Sequence, residues 1–258
     1  MTGQPLAFYE AVGAHFEPSD INFSPWNNNG QSGVALAGLA AHVIGLAPSP
    51  ADMHTARITI DILGLVPRVP LKPEWRIVRE GRRVQLVEAE LVADGRVCVR
   101  AIVLRSRIAP SPEADLPLLH PLPDPSRAEG KVPWLSMHRL EGSLFHVGPG
   151  AQWVRMLTDV VTGHALTPLE RVAMVSDFGS STAPLVSLRE WTYANLDLAV
   201  HLTRLPQGDW VLLDATSESS GNGTGVVHAR LGDVAGMFGH ACQTVFLDHR
   251  EEAHQAGV

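Results

Sequence analysis

Apolar and polar positions along this chain fall into blocks with distinct periods. Residues 33–47 (GVALAGLAAHVIGLA) are apolar on every side of a helix, with small residues all round and His42 as the one polar break. A helix of that kind has no solvent face and is predicted to be buried on all sides. Residues 57–66 (RITIDILGLV) alternate with period two, which predicts a half-buried strand. Residues 74–92 predict strands folding back around Glu80-Gly81. Asp94-Gly95 then reads as a hairpin turn into residues 96–107 (RVCVRAIVLRSR).

A break follows. Residues 108–134 carry Pro110, Pro112, Pro117, Pro121, Pro123, Pro125 and Pro133. Proline lacks an amide donor and fixes φ, so this stretch is excluded from central strands and helix interiors and reads as a semi-rigid connector. Beyond it the same order of elements returns. Thr167-Pro168 followed by Glu170 predicts a helix start with proline in the first turn, the helix running to about Asp177 and stopping near Gly179. Strands are predicted over 190–205, 209–218, 225–231 and 239–249. Between the two blocks, Ile58–Ile62 matches Ala194–Leu198 and Glu74-Trp75 matches Asp209-Trp210. Likewise Ala89-Glu90-Leu91 matches Ala229-Arg230-Leu231, and Arg100–Leu104 matches Gln243–Leu247. One helix followed by a meander of antiparallel strands buries an all-apolar helix only if the sheet curls around it. Two such units pairing along a sheet edge would also hide exposed strand edges.

With 45% hydrophobic and 18% charged residues, the 258-residue chain has ample material for a packed core. A net charge of −7 without a basic run argues against a nucleic-acid partner. Residues 1–20 show no cationic segment leading into an apolar one, so no signal peptide is expected. The apolar stretch 33–47 falls short of the roughly 20 residues that span a bilayer, so no membrane partner is expected and the default location is cytoplasmic. Cys98 and Cys242 form no Cys-x-x-Cys, and the 12 histidines show no paired ligand spacing; neither a metal nor a cofactor is expected.

Four short segments carry a resemblance: Val175-Ser176-Asp177-Phe178, Ala194-Asn195-Leu196-Asp197, Cys242-Gln243-Thr244, and Asn29-Gly30-Gln31, which looks like a degenerate Gly-Gly-Gln. On these residues the chain resembles the acyl-CoA thioesterase II family, whose members hydrolyse fatty acyl-CoA. The resemblance implies an α+β fold, a double hotdog: two helix-wrapped antiparallel sheets in one chain, forming a pseudo-dimer. The units would be an N-terminal hotdog over 1–109, a proline-rich linker over 110–134 and a C-terminal hotdog over 135–258. It implies an acyl-CoA substrate, and further association of hotdog sheets leaves a homo-oligomer open. In the family an Asp, a Thr or Ser, and a Gln hold and activate the attacking water. Matched residue by residue these become Asp177, Asn195 and Gln243, with Asn195 standing where better-studied members carry a hydroxyl.

Thioester hydrolysis needs a water nucleophile, a group to take its proton and donors for the oxyanion. Asp177 is the only carboxylate of the three and so the candidate base. It falls in the last turn of a helix, where the macrodipole disfavours negative charge, and a raised pKa there would suit a base. The competing reading is a bond to the Ser180 or Ser181 amide. Asn195 and Gln243 sit in buried strands, and an unpartnered amide there costs on the order of 1–3 kcal/mol; they either orient water or bond each other or the backbone. Asn29, Gly30 and Gln31, at the start of the first helix, are candidate oxyanion and substrate contacts or ordinary caps. In the first half the matching positions are His42, Thr59 and Arg100, which do not reproduce the set, so one active centre per chain is expected.

Other motifs are set aside. Val34 stands where a nucleophile elbow needs its second glycine, and Ser220–Gly225 is expected to be a hairpin turn. Trp75 and Trp210 are read as core or interface packing. A non-catalytic acyl-thioester binder is the alternative function. A hotdog hydratase or dehydratase would need an Asp-His pair with an Asn-Pro-type segment, which is not found.

Overall fold

A computed structural model describes residues 6–25, 29–50, 52–112, 114, 116–122 and 132–250. Its first half contains β1 (Ala7–Val12), β2 (His15–Pro18), α1 (Gly33–Gly45), β3 (Met53–Ile62), β4 (Lys72–Glu80), β5 (Val84–Ala93) and β6 (Arg96–Arg107). Next come β7 (Leu135–Ser143), β8 (His146–Met156), β9 (Asp159–Val161), α2 (Pro168–Ser176) and α3 (Gly179–Thr182). The chain closes with β10 (Trp191–Asn195), β11 (Asp197–Leu202), β12 (Trp210–Ser219), β13 (Thr224–Asp233) and β14 (Gly236–His249).

One large sheet runs in the order β4-β5-β6-β3-β11-β14-β13-β12-β8-β7, with β10 also paired to β14; a small sheet β2-β1-β9 stands apart. The centre of the large sheet is the antiparallel contact of β3 with β11, where Thr59 faces Ala199. Walking outward from it, β3-β6-β5-β4 on one side and β11-β14-β13-β12 on the other follow the same order. Their registers repeat. Ala89 pairs with Ala101 and Ala229 with Ala241, both 140 positions apart (229 − 89 and 241 − 101). Thr55 pairs with Arg105 and Asn195 with Val245 at the same spacing (195 − 55 and 245 − 105).

This register corrects three of the four matches read from sequence. Only Ala89–Leu91 with Ala229–Leu231 keeps the spacing. Thr59 corresponds to Ala199, not Asn195, and Arg100 to His240, not Gln243. Trp75 faces Ala89, so its counterpart is Ala215, which faces Ala229. Period-two strands look alike when slid past one another, and only hydrogen-bond register separates the alternatives. Trp75 is also 41% exposed, which rules out core packing, whereas Trp153 is fully buried.

α1 is buried from Val34 to Ile44 apart from His42, as its composition demands. It crosses α2 closely because Gly38 has no side chain: a Cβ there would stand 2.9 Å from both Met174 Cγ and Val160 Cγ2. His42 Nδ1 and Glu170 Oε1, 2.7 Å apart, tie the two helices together. Glu170 also closes the capping box that starts α2: Thr167 Oγ1 accepts from the Glu170 amide and Glu170 Oε2 from the Thr167 amide. The other end of α1 is closed by a buried Arg105, whose guanidinium donates to Ile44 O, Pro48 O and Gln85 Oε1. Asp94-Gly95 makes the expected hairpin turn, both residues having positive φ (49° and 77°).

Of the predicted connector, Leu116 O accepts from the Met237 amide and Pro121 O from Trp153 Nε1, so it runs over the second half's strands. Pro123 and Pro125 lie outside the described residues. A single apolar core extends from Phe8 to Leu247. No helix among the described residues is long and apolar enough to cross a membrane.

Candidate active site

α2 ends at Ser176 and Asp177 is its C-cap; after Phe178 the chain re-enters the short helix α3. Two strand residues close on this junction. Asn195, the last residue of β10, donates through Nδ2 to Asp177 Oδ1 at 2.8 Å and to Asp177 O at 3.1 Å. Gln243, in β14, donates through Nε2 to Asp177 O at 3.2 Å and accepts from the Ser180 amide through Oε1 at 3.1 Å. The Ser180 hydroxyl in turn donates to Asn195 Oδ1 at 2.9 Å. The three residues singled out in the sequence therefore meet at one point, with Ser180 as a fourth member.

Asp177, Asn195 and Ser180 stand at the wall of a cavity of about 380 Å³, with Gln243 outside its lining. Asp177, Ser180, Tyr193 and Asn195 line one side; Gln31, Gly33 and Val34, at the start of α1, line the other. The end of α2 thus faces the beginning of α1. Contact is close: a Cβ on Gly33 would lie 2.9 Å from Asp177 Oδ2 and 3.1 Å from Oδ1. Ser32, the N-cap, makes no side-chain cap bond, and the first intrahelical bond runs from the Leu36 amide to Ser32 O. The amides of Gly33, Val34 and Ala35 therefore have no helical carbonyl, and helix geometry points them out of the N-terminus. Such an end favours negative charge.

Burial pushes the Asp177 carboxyl up to about 6, opposed by the Asn195 hydrogen bond. Tyr193, two positions before Asn195 and on the same face of the strand, is pushed up to about 12 by burial, with Asp177's charge adding to it. Among the described residues no Lys, Arg or His lines the cavity, and Asp248 is the other carboxylate that does. A carboxylate held neutral up to near pH 6 can exchange a proton with water at physiological pH. No group of three His, Cys, Asp or Glu residues among the described ones is arranged to hold a metal.

Asn29, Gly30 and Gln31 form the approach to α1. The Gln31 amide donates to Val66 O, Asn29 O accepts from the Arg68 amide, and the Asn29 side chain is exposed. The Gln31 side chain, 4% exposed, is fully used: Oε1 accepts from Tyr9 Oη and Asn22 Nδ2, and Nε2 donates to Pro67 O and Val69 O. Gln243 is similarly occupied, by backbone groups. Sequence reasoning missed Gly33, Ser180 and Tyr193. The strand period marks Tyr193 as sharing a face with Asn195; nothing local marks the other two.

Two family profiles match the chain: the acyl-CoA thioesterase N-terminal domain over residues 23–106 and the acyl-CoA thioesterase C-terminal domain over residues 112–247. No curated protein matches it. Among solved structures, a candidate thioesterase II from Thermobifida fusca YX is 16% identical, with 95% of this chain and 100% of that one covered and a TM-score of 0.71. An acyl-CoA thioesterase II from Mycobacterium marinum is 17% identical over 93% of this chain and 94% of that one, with a TM-score of 0.69. A protein of unknown function with a hot dog fold from Alicyclobacillus acidocaldarius is 15% identical over 93% and 95%, with a TM-score of 0.68. At these identities the likeness is one of fold, and the fold is the hot dog.

Proposed function

The chain belongs to the acyl-CoA thioesterase family, and from that premise we propose that it hydrolyses acyl-CoA with a water activated by Asp177. The observation that carries this is a carboxyl raised to about 6, standing on a cavity opposite a helix N-terminus. Asn195 occupies Oδ1, which leaves Oδ2 to take the proton of a water. As that water's oxygen bonds to the thioester carbon, the carbonyl oxygen becomes an oxyanion. It is received by the first-turn amides of α1, which the Asn29-Gly30-Gln31 turn brings to the cavity. Collapse of the tetrahedral intermediate breaks the C–S bond. The proton held by Asp177 passes to the departing CoA sulfur, giving free acid, CoA thiol and a regenerated carboxylate. Asn195 orients the base directly; Gln243 supports it from behind by fixing the α2–α3 junction.

The same reading extends to the architecture: a double hotdog with halves 1–109 and 135–258 standing as a pseudo-dimer, and 110–134 as the connector. The repeated register supports it. It also supports one active centre per chain. At the 140-residue spacing the counterparts of Asn195 and Gln243 are Thr55 and Val103, and Arg105 closes the end of α1.

The test is thiol release from short-, medium- and long-chain acyl-CoAs, for the wild type and Asp177→Asn. The reading requires turnover by the wild type that collapses in the variant with folding intact. One observation favours a second reading, an acyl-thioester binding protein: Gln243 bonds backbone at both ends of its amide and does not line the cavity. No turnover on any chain length, with acyl-CoA still raising the melting temperature, would establish that instead.

A further inference from the structure

The Asn195 carboxamide can sit in either of two orientations related by a half-turn, and only one of them serves Asp177. With Nδ2 toward Asp177 it donates to Oδ1 and to the backbone oxygen. Turned over, it would set its own oxygen against the carboxylate. The chosen orientation leaves Oδ1 facing away from Asp177, and that oxygen needs a donor. Ser180 supplies it: its hydroxyl donates to Asn195 Oδ1 at 2.9 Å, while its amide is separately held by Gln243. Ser180 lines the cavity and is itself only 5% exposed. Tyr193 lines the same cavity. Donors thus run in one direction, from Ser180 to Asn195 to the Asp177 carboxylate. Each bond in such a chain polarises the next.

We infer that Ser180 is a positioning residue for Asp177, acting through the side-chain amide of Asn195 by anchoring its oxygen and so holding its Nδ2 against the carboxylate. This rests on the reading of Asp177 as the base. Asp177 offers only acceptors and so selects the Nδ2 end of the amide; the Ser180 hydroxyl holds the opposite end, and without it the amide is anchored from one side alone. The groups facing Asp177 come from every side. α1 presents Gly33 and has no acidic residue in its first turn. β10 presents Asn195 and Tyr193, and β14 presents Gln243, with Asp248 further along the cavity wall. Of these only Tyr193 and Asp248 titrate, and neither is cationic. The amide bond is therefore the one side-chain interaction described at Asp177 that favours its charged form.

The experiment is a carbon-13 NMR titration of the Asp177 carboxyl in the wild type, Ser180→Ala and Ser180→Thr, with the pH profile of kcat measured alongside. Loss of one hydrogen bond's support corresponds to an upward move of about half to one pH unit. Ser180→Ala is expected to move the carboxyl titration and the acidic limb of kcat upward together, with KM unchanged. Ser180→Thr, which keeps the hydroxyl, restores both. If Ser180→Ala proves poorly folded, Ser180→Cys, with a weaker donor of similar size, is expected to give an intermediate move. A titration in Ser180→Ala or Ser180→Cys that superimposes on the wild type overturns the inference, as does a loss of kcat without any move in pH. Failure of the hydrolytic reading is separable: a wild type without turnover whose Asp177 titration still responds to Ser180 leaves the positioning role standing and removes only its catalytic consequence.

Discussion

Gly33, the first residue of α1, stands so close to Asp177 that a Cβ on it would lie 2.9 Å from Oδ2. The carboxylate is pressed against a helix start that only glycine leaves open. Substituting Gly33→Ala therefore sets two effects against each other. Alanine favours a helix over glycine by roughly 0.5–1 kcal/mol, a benefit reduced at the first position of the helix. Yet its methyl must displace the carboxylate oxygen from the α1 N-terminus. Thermal melting is expected to show little change or a slight gain, while kcat falls by about a hundredfold, the scale of a misplaced catalytic group. Full activity in Gly33→Ala would show that the carboxylate does not work from this position.

Asp177 makes a second prediction through linkage. Its folded pKa of about 6 exceeds the ordinary carboxyl value of 3.8, so the folded chain holds the proton more tightly than the unfolded chain. Between those values the folded state binds more protons, and stability falls as pH rises through the window. The penalty is absent well below 3.8 and complete above about 6. Asp177→Asn removes it. Denaturant unfolding is expected to find the variant more stable than the wild type by about 1–3 kcal/mol at pH 8, and nearly equal at pH 4. The same ionisation governs the reaction: activity rises with pH through about 6 in the wild type. Equal stability of the two proteins at both pH values would mean that the carboxyl is not shifted.

Gln243 is 1% exposed, and each end of its amide bonds backbone at the α2–α3 junction. Truncation to alanine leaves the Ser180 amide without its acceptor and opens a void. The expected cost is roughly 2–4 kcal/mol of stability, with kcat lowered as well because the backbone of Asp177 loosens. Gly179→Ala attacks the same contact from the other side, since its Cβ would collide with Gln243 Oε1. It should destabilise comparably, and the double variant should cost less than the sum of the two. Additive effects would mean that the two residues act separately.

Much of this was legible in the sequence, for physical reasons that also mark the limit. α1 announces itself because Gly33–Gly45 has no polar face, and α2 because Thr167, Pro168 and Glu170 form a capping box whose members are neighbours in sequence. Asp177, Asn195 and Gln243 could be named from family likeness, but their bonding could not: Asn195 and Gln243 face the backbone and Ser180 as much as the carboxyl. β8 went unread because Gly148, Pro149 and Gly150 interrupt its period, although the strand runs through them from His146 to Met156. β1 and β9 are short, and they pair across the two halves, a contact that no local pattern encodes. The strand matches slipped for the same reason: register is set by hydrogen bonds between distant segments.

The first half closes its helix end with Arg105 where the second half leaves Asp177 open to a cavity, and this contrast gives the last prediction. Arg105 is 6% exposed, burial lowers its pKa, and its guanidinium donates to Ile44 O, Pro48 O and Gln85 Oε1. Ile44 O also accepts from the Ala47 amide and Pro48 O from Gln85 Nε2, whereas the guanidinium is the donor described for the buried Gln85 Oε1. Arg105→Ala takes the described donor from the buried Gln85 Oε1 and leaves a void, and is expected to cost about 2 kcal/mol in denaturant unfolding. The Asp177 cavity lies at the opposite end of α1, and its geometry does not pass through Arg105. Turnover per folded molecule, measured below the shifted melting temperature, should therefore match the wild type. A variant that stays stable would show that water or a neighbour readily replaces the guanidinium. One that is unstable and also loses kcat per folded molecule would show that the end of α1 closed by Arg105 is coupled through the helix to the end that receives the oxyanion.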